Sequence, residues 1–144
     1  MNLKIAAASA TIGLAMFGAA LPALADGDAA KGEKAFRACK SCHMIASPEE
    51  TIVKGGRTGP NLYGIAGRAA GSVEDFRYSD LLLAAGAAGI SWDAESFAGY
   101  VQDPTGWLKE TTGESGRGKM TFRVRSAEDA ADLWAYLASL APEG

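Results

Sequence analysis

The sequence predicts a small all-α domain, in which about five short helices and long loops surround one bound group. Apolar residues recur at helical spacing in several segments, and no alternating strand pattern of useful length appears. The chain has 144 residues and 18 glycines, so much of it should be loop. A small, loop-rich domain needs more than its own side chains to fill its centre.

The first 25 residues are typical of a secretory signal peptide. A basic start ending at Lys4 precedes an uncharged, largely apolar run over residues 5–20, and Ala23 and Ala25 form a small-x-small cleavage pattern. Cleavage after Ala25 would leave one domain over residues 26–144. A retained anchor is the alternative, but the run is shorter than the roughly 20 residues of a membrane span. We therefore expect a soluble periplasmic protein without a membrane anchor.

The charge balance argues against a nucleic-acid partner. The whole chain has 14 basic and 17 acidic residues and a net charge of −3. Lys4 is the only charged residue of the leader, so the mature chain would keep 13 basic residues and a net charge of −4. Domains that bind nucleic acid are usually basic.

The first and last helices of the domain are predicted to cross closely. Asp28 is a plausible N-cap for a helix that ends near residue 38, and Gly32 lies in the middle of it. A glycine inside a helix costs up to about 1 kcal/mol against alanine, which a close crossing would explain. The partner helix begins after Ser126, and its apolar stripe consists of Ala130, Leu133, Leu137 and Leu140.

Three shorter helices are predicted between them. They cover residues 81–85, 94–102 and about 106–110. Asp93 is the expected N-cap of the second of these helices, and Thr105 is the expected N-cap of the third.

The only two cysteines and the only histidine of the chain lie together as Cys39-Lys40-Ser41-Cys42-His43. Cys-x-x-Cys-His is the attachment motif of c-type haem, in which both thiols form thioethers and the histidine binds the iron. A redox Cys-x-x-Cys usually lies near a strand–helix pattern, and no strand is predicted before Cys39. A structural zinc site needs four ligands, and the sequence has no second cluster of cysteine or histidine.

Met120 is the predicted second iron ligand. The mature chain has only two methionines, and Met44 follows His43 directly, too close to reach the opposite face of a haem. Glycines at positions 116 and 118 would let the backbone near Met120 approach the ring. A His/Met pair raises the reduction potential and suits an electron carrier. The alternative is that Met120 is an ordinary apolar loop residue.

The order of the motifs resembles the class I c-type cytochromes, and within them the soluble bacterial cytochrome c2 group. The resemblance covers nearly all of the mature chain. It is carried by Gly32, Phe36, Cys39-x-x-Cys42-His43, Thr58-Gly59-Pro60-Asn61-Leu62-Tyr63-Gly64, Gly67-Arg68, Phe76-Arg77-Tyr78-Ser79, Trp92, Tyr100-Val101, Asp103-Pro104, Lys119-Met120-Thr121-Phe122 and Leu133-x-x-Tyr136-Leu137.

The resemblance implies the class I cytochrome c fold around one covalent haem c, with crossing N- and C-terminal helices. It implies that the Pro60 carbonyl accepts the N–H of the iron-binding histidine, and that Tyr100 hydrogen-bonds on the methionine side. Arg68, Tyr78 and Trp92 match positions that hold a haem propionate, although Tyr78 and Trp92 could serve only in packing. Residues that would pack against the haem are Leu62, Phe76, Phe122 and Leu133.

Two segments, residues 46–57 and 108–119, are longer than in the mitochondrial type and similar to the larger cytochrome c2 type. Basic residues expected around the haem edge are Lys40, Lys54, Arg57, Lys109, Arg117, Lys119, Arg123 and Arg125. They would form a partner face that steers the acidic protein onto acidic partners. The alternative is that these charges are only a solvated surface.

The resemblance implies a monomeric electron carrier rather than an enzyme. Its donor would be quinol–cytochrome c reductase, and its acceptor a photosynthetic reaction centre, a terminal oxidase, or both. One alternative is a haem enzyme or gas binder with an open sixth position on the iron. Another is a haem domain docked permanently to a larger complex, which predicts a large apolar patch.

Overall fold

The computed structural model describes residues 26–140, where five α-helices and one short hairpin are connected by long loops. The predicted signal peptide lies outside the described residues. The helices are α1 (Ala29–Ala35), α2 (Asp80–Ala87), α3 (Ala94–Gln102), α4 (Pro104–Thr112) and α5 (Ala127–Ser139). The hairpin pairs strands β1 (Ile45–Ala46) and β2 (Thr51–Val53). The predicted all-α class is confirmed.

The crossing of α1 and α5 forms one side of the molecule. Gly32 is buried there, and a Cβ at this position would run into the backbone carbonyl of Asp132 and lie 2.8 Å from Cβ of Tyr136. The Asp132 carboxylate accepts the backbone N–H of Asp28 at 2.7 Å. The predicted close crossing is therefore confirmed, and the absence of a side chain at Gly32 permits it.

The predicted caps of α1 and α5 are confirmed. The Asp28 side chain accepts the N–H groups of Ala30 and Lys31, and the Ser126 hydroxyl accepts that of Asp129. These side chains satisfy helix donors that have no partner within the helix. The first helix is shorter than predicted, because the chain changes to a 3-10 turn over Phe36–Ala38, directly before the cysteine motif.

The cap predicted for α4 is wrong by two residues. Asp103 caps the helix by accepting the N–H of Gly106, and Pro104 is its first residue, where proline needs no N–H partner. The helix ends at Gly113 in the left-handed conformation, with φ of 71°. The predicted range and cap of α3 are confirmed, whereas α2 extends beyond the predicted 81–85 at both ends.

The hairpin was not predicted. Its strands have two and three residues, too few for an alternating pattern to stand out. The Ser47 hydroxyl accepts the N–H groups of Glu49 and Glu50 in the connecting turn. Ile45 is fully buried, so the hairpin is attached to the core through β1.

The core joins buried residues from α2, α3, α4 and α5, from the 3-10 turn and from the loop before α2, and α1 packs against it through Ala29 and Ala35. Its largest fully buried side chains belong to Phe36, Ile45, Leu108, Leu137 and Pro104. Within residues 26–140, no helix is long and apolar enough to cross a membrane.

Candidate haem-binding site

A mainly apolar cavity lies between the 3-10 turn with the cysteine motif that follows it, helix α5, the loop of residues 58–79 and the loop that contains Met120. All of the residues predicted to attach, ligate or contact the haem line it, although they come from distant parts of the sequence. They are Cys39, Cys42, His43, Pro60, Leu62, Arg68, Phe76, Tyr78, Trp92, Tyr100, Met120, Phe122 and Leu133.

The cysteine motif forms a tight turn at the rim of this cavity. The backbone N–H groups of Cys42 and His43 both donate to the carbonyl of Cys39, at 3.1 and 2.9 Å. Cys39 is half-buried, and Cys42 is exposed. Burial, with a smaller contribution from Cys42, raises the pKa of the Cys39 thiol to about 11. This is the opposite of the lowered pKa that activates a redox cysteine.

The His43 ring is fixed by one hydrogen bond. Its Nδ1 lies 2.8 Å from the carbonyl oxygen of Pro60, and a carbonyl can only accept, so Nδ1 carries the proton. Nε2 therefore keeps its lone pair, as a metal ligand must. Burial lowers the pKa of His43, and the bond to Pro60 only partly opposes it, so the ring stays neutral.

Gly59 leaves the space that this ring occupies. A Cβ at Gly59 would run into Cε1 of the imidazole and lie 2.6 Å from its Nδ1. The Gly59 N–H also donates to the carbonyl of Cys42 at 2.8 Å, so the loop is bound to the motif beside His43. Gly59 lies within the Thr58-Gly59-Pro60 motif, but nothing in the sequence indicates this role.

Met120 is half-buried and lines the cavity, whereas Met44 does not. The two residues before Met120 are both attached to other parts of the fold. The Gly118 N–H donates to the Thr105 hydroxyl at 3.1 Å, and the Lys119 ammonium donates to the carbonyl of Arg77 at 2.6 Å. These contacts hold the methionine segment in place at both α4 and the loop before α2.

The guanidinium of Arg68 binds backbone as well as lining the cavity. It donates to the carbonyls of Tyr63 and Asn61 at 3.0 and 3.1 Å. Burial lowers its pKa, with an opposing contribution from Tyr78. Two of its five N–H donors are used in this way, which leaves donors for an anionic group.

The aromatic residues predicted near the haem pack closely together. The ring centroids of Trp92 and Tyr100 are 5.1 Å apart, and the Trp107 ring packs against both. Burial, helped by Tyr78, raises the pKa of Tyr100 to about 12, so its hydroxyl keeps its proton. The Tyr78 hydroxyl accepts the N–H of Val73 at 3.1 Å, and its own proton can still be donated.

The eight basic residues predicted for the partner face are all exposed, but only some lie at the cavity. Lys119 lines it. An adjoining cleft, which shares Met120 and Thr121 with the cavity, is lined by Lys109, Arg117 and Arg123. Neither the cavity nor the cleft is lined by Lys40, Lys54, Arg57 or Arg125. Arg123 also pairs with Asp103 at 2.8 Å.

Asn61 is a site residue that the sequence did not single out. Its side chain and its carbonyl both take part in hydrogen bonds next to Pro60. Its position directly after Pro60, the predicted acceptor for the histidine, is the sequence signal that points to a role at the site.

The donor set fits a covalent haem. Two thiols and a neutral imidazole with a free Nε2 lie at one part of an apolar cavity that also contains a thioether. Apolar walls suit a porphyrin, and the thioether is a soft ligand that suits iron in a haem. Within residues 26–140, no three side chains of the histidine, cysteine or acidic type lie close enough to hold a metal ion together.

Comparison with known proteins identifies the family. No protein-family model matches the chain. It is 54% identical over 129 residues to cytochrome c-551 of Roseobacter denitrificans, which covers 88% of this chain and 91% of that protein. It is 46% identical over 139 residues to cytochrome c2 of Rhodobacter capsulatus, which covers 96% of this chain and 98% of that protein.

The solved structure of cytochrome c2 from Rhodobacter sphaeroides matches with a TM-score of 0.79 and 47% identity, over 82% of this chain and 99% of that one. The proteins of this group are electron carriers with one covalently bound haem c, and they are not enzymes. The chain belongs to the cytochrome c2 group of the class I c-type cytochromes, and it is an electron carrier that binds haem c.

Proposed function

We propose that this protein shuttles single electrons in the periplasm, from quinol–cytochrome c reductase to a photosynthetic reaction centre, a terminal oxidase, or both. The observation that carries the proposal is the presence of both cysteines, His43 and Met120 around one cavity. The signal peptide predicted over residues 1–25 supports export to the periplasm.

Four residues are assigned to attachment and ligation. Cys39 and Cys42 would form the thioethers, and His43 and Met120 would bind the iron through Nε2 and Sδ. The haem supplies an iron that changes reversibly between the ferric and ferrous states. Two protein ligands leave no position for a substrate, which suits electron transfer and disfavours peroxide or gas chemistry.

The other cavity residues set the environment of the iron. The Pro60 carbonyl accepts a hydrogen bond from His43 Nδ1–H, which fixes the ring and raises the basicity of Nε2. We assign Arg68, Tyr78 and Trp92 to a haem propionate, and Tyr100 to the methionine side. The apolar side chains of Leu62, Phe76, Phe122 and Leu133 line the cavity and would exclude water from most of the haem surface.

The partner face is assigned to the exposed cations beside Met120. Lys109, Arg117, Lys119 and Arg123 lie at the cavity or at the cleft that shares a wall with it. A carboxylate-rich surface of a redox complex would be attracted to this side of an otherwise acidic monomer. Redox complexes of this kind use small, weak interfaces, which allow rapid turnover.

The ligand assignment is tested by replacing each methionine of the domain. In Met120→Ala we expect a lower reduction potential, loss of the weak far-red ferric band, and rapid binding of cyanide or carbon monoxide. The matched control is Met44→Ala, because Met44 does not line the cavity. It should keep the reduction potential and the far-red band, and its iron should not bind cyanide or carbon monoxide rapidly. A wild-type protein with a high-spin ferric spectrum, or a Met120→Ala variant that behaves as wild type, would contradict the assignment.

The physiological role is tested separately with the purified holoprotein. We expect the mass of the periplasmic protein to correspond to a chain beginning at Asp26 with one haem. It should be reduced catalytically by quinol–cytochrome c reductase and reoxidised by membranes that contain the acceptor. Co-purification in a fixed ratio with one complex would favour the permanently docked domain instead.

A further inference from the structure

The Asn61 side chain joins the hairpin to the loop that supports His43. Its Oδ1 accepts the backbone N–H of Ala46 at 3.0 Å, and its Nδ2 donates to the carbonyl of the same residue at 2.7 Å. Oδ1 also accepts the N–H of Tyr63 at 3.1 Å. Both ends of the amide are thus bound to backbone, which fixes the side chain in one orientation.

The backbone of Asn61 is held from the other direction by Arg68. The guanidinium donates from Nη2 to the Asn61 carbonyl and from Nη1 to the Tyr63 carbonyl. Hydrogen bonds from a charged donor are roughly twice as strong as those between neutral groups. Arg68 is half-buried, so these bonds are partly protected from water.

The carbonyl of Pro60 belongs to the peptide unit that continues into Asn61. It is therefore bound into a segment whose position depends on the Asn61 side chain and on Arg68. Further contacts on either side, from the N–H of Gly59 to the carbonyl of Cys42 and from the N–H of Leu62 to that of Met44, join the segment to the backbone on both sides of His43. Pro60 has no N–H of its own, so its neighbours must supply the contacts that hold it.

We propose that Asn61 is a positioning residue that holds the Pro60 carbonyl against Nδ1 of His43 and thereby sets the ligand strength of the histidine. The inference rests on the proposed ligand role of His43. A short bond to Pro60 gives Nδ1 partial anionic character, makes Nε2 a stronger donor and favours ferric iron. A looser carbonyl weakens this effect and raises the reduction potential.

The test is Asn61→Ala in the holoprotein, with two readouts. In the ferrous state, we expect the His43 Nδ1 proton to exchange with solvent about tenfold faster, which corresponds to about 1.4 kcal/mol. The midpoint potential should rise, because the histidine donates less electron density to the iron. Proton NMR measures the exchange, and a redox titration measures the potential.

The matched control is Ser47→Ala. It removes the hydroxyl contacts of the hairpin turn to Glu49 and Glu50 but touches nothing in residues 59–63. We expect it to lower the free energy of unfolding without changing the proton exchange or the potential. Should Asn61→Ala fold poorly, Asn61→Asp keeps the Oδ1 acceptor but places a second acceptor oxygen against the Ala46 carbonyl, and it should increase the exchange in the same direction.

Unchanged exchange and potential in a folded Asn61→Ala protein would overturn the inference and leave Asn61 a purely structural residue. Equal shifts in Ser47→Ala would overturn it too, because the hairpin as a whole would then be responsible. If the proposed ligand role of His43 is wrong, the spectrum of the wild-type protein shows it before any variant is made, because the features of an iron bound by histidine and methionine are missing.

Discussion

Gly59 and Pro60 act on the same imidazole ring, one by leaving space and the other by accepting a hydrogen bond. The ring of His43 lies where a Gly59 side chain would be, and its Nδ1 reaches the Pro60 carbonyl. Because protein interiors are closely packed, the ring has little freedom to move aside. At the scale of single residues, the site therefore depends as much on the loop backbone as on the ligands themselves.

Gly59→Ala should disturb the histidine directly. Its Cβ would run into the imidazole, and overpacking of this kind costs about 1–3 kcal/mol. We expect a less stable holoprotein and a changed ferric spectrum, measured by urea unfolding and by the far-red band. Gly113→Ala is the control, since its Cβ meets no atom within 4 Å and only the left-handed φ is unfavourable. Control and variant with the same spectrum would contradict a role for Gly59 at the ring.

Residue types at fixed spacing were enough to propose the haem ligands, whereas no pattern predicted the direction of the side chains around them. Two thiols, one imidazole and one available methionine left few choices for the haem ligands. The backbone contacts of Arg68 depend on how the 58–68 loop folds back on itself, which no local pattern encodes. The same is true of Asn61, whose partner Ala46 lies in a hairpin that was not predicted.

The helices are held in place by their ends and by one close crossing. Polar side chains cap α1, α2, α3, α4 and α5 at their N-termini. Caps and apolar spacing are local signals, so most helices could be predicted from the sequence. The cap of α4 was misplaced because both Asp103 and Thr105 are suitable residues, and proline at position 104 decides in favour of the aspartate.

Gly32→Ala tests the close crossing of α1 and α5, because the sign of the change in the free energy of unfolding decides between two expectations. Helix propensity alone predicts stabilisation of up to about 1 kcal/mol. The structure predicts destabilisation by about 1–3 kcal/mol, because the new methyl group meets the Asp132 carbonyl. Urea unfolding of the holoprotein measures the change, with Lys34→Ala as an exposed control in α1. A more stable Gly32→Ala protein would show that the helices do not cross as closely as described.

Two acidic residues of α5 contact α1, and we expect them to differ in importance. Asp132 is buried and accepts the Asp28 N–H, so Asp132→Ala should cost about 1–3 kcal/mol by leaving that donor without a partner. Glu128 pairs with Lys31 at 3.4 Å on the exposed surface, so Glu128→Ala should have little effect. Both are measured by chemical unfolding, and equal losses would contradict the assignment of the crossing to Asp132.

On the scale of the whole molecule, an acidic chain presents a group of cations beside the methionine loop. The net charge of the sequence is −3, yet Lys109, Arg117 and Arg123 line one cleft. Such a separation of charge gives the molecule a dipole, and under the proposed function this dipole would orient it during approach to a partner. Composition predicts the net charge, but only the fold determines which cations lie together.

Reversing Lys109 and Arg117 to glutamate should slow electron transfer with the reductase at low salt. The effect should diminish above about 0.1 M salt, where the screening length falls to about 10 Å. Lys31→Glu with Lys34→Glu is the control, because it changes the net charge equally but lies on α1. Stopped-flow kinetics over a range of ionic strength measures both pairs, and equal slowing would argue for net charge rather than a partner face.

The contact between α1 and α5 joins two parts of the chain that are far apart in sequence, because Asp28 and Asp132 are 104 positions apart. A single cut in an exposed connection, such as residues 113–116, would therefore not release either piece. The N-terminal fragment would keep the cysteines and α1, and the C-terminal fragment would keep Met120 and α5. Each fragment contains one half of the helix crossing and one proposed axial ligand, so two separately made peptides have the contacts needed to reassemble around the haem.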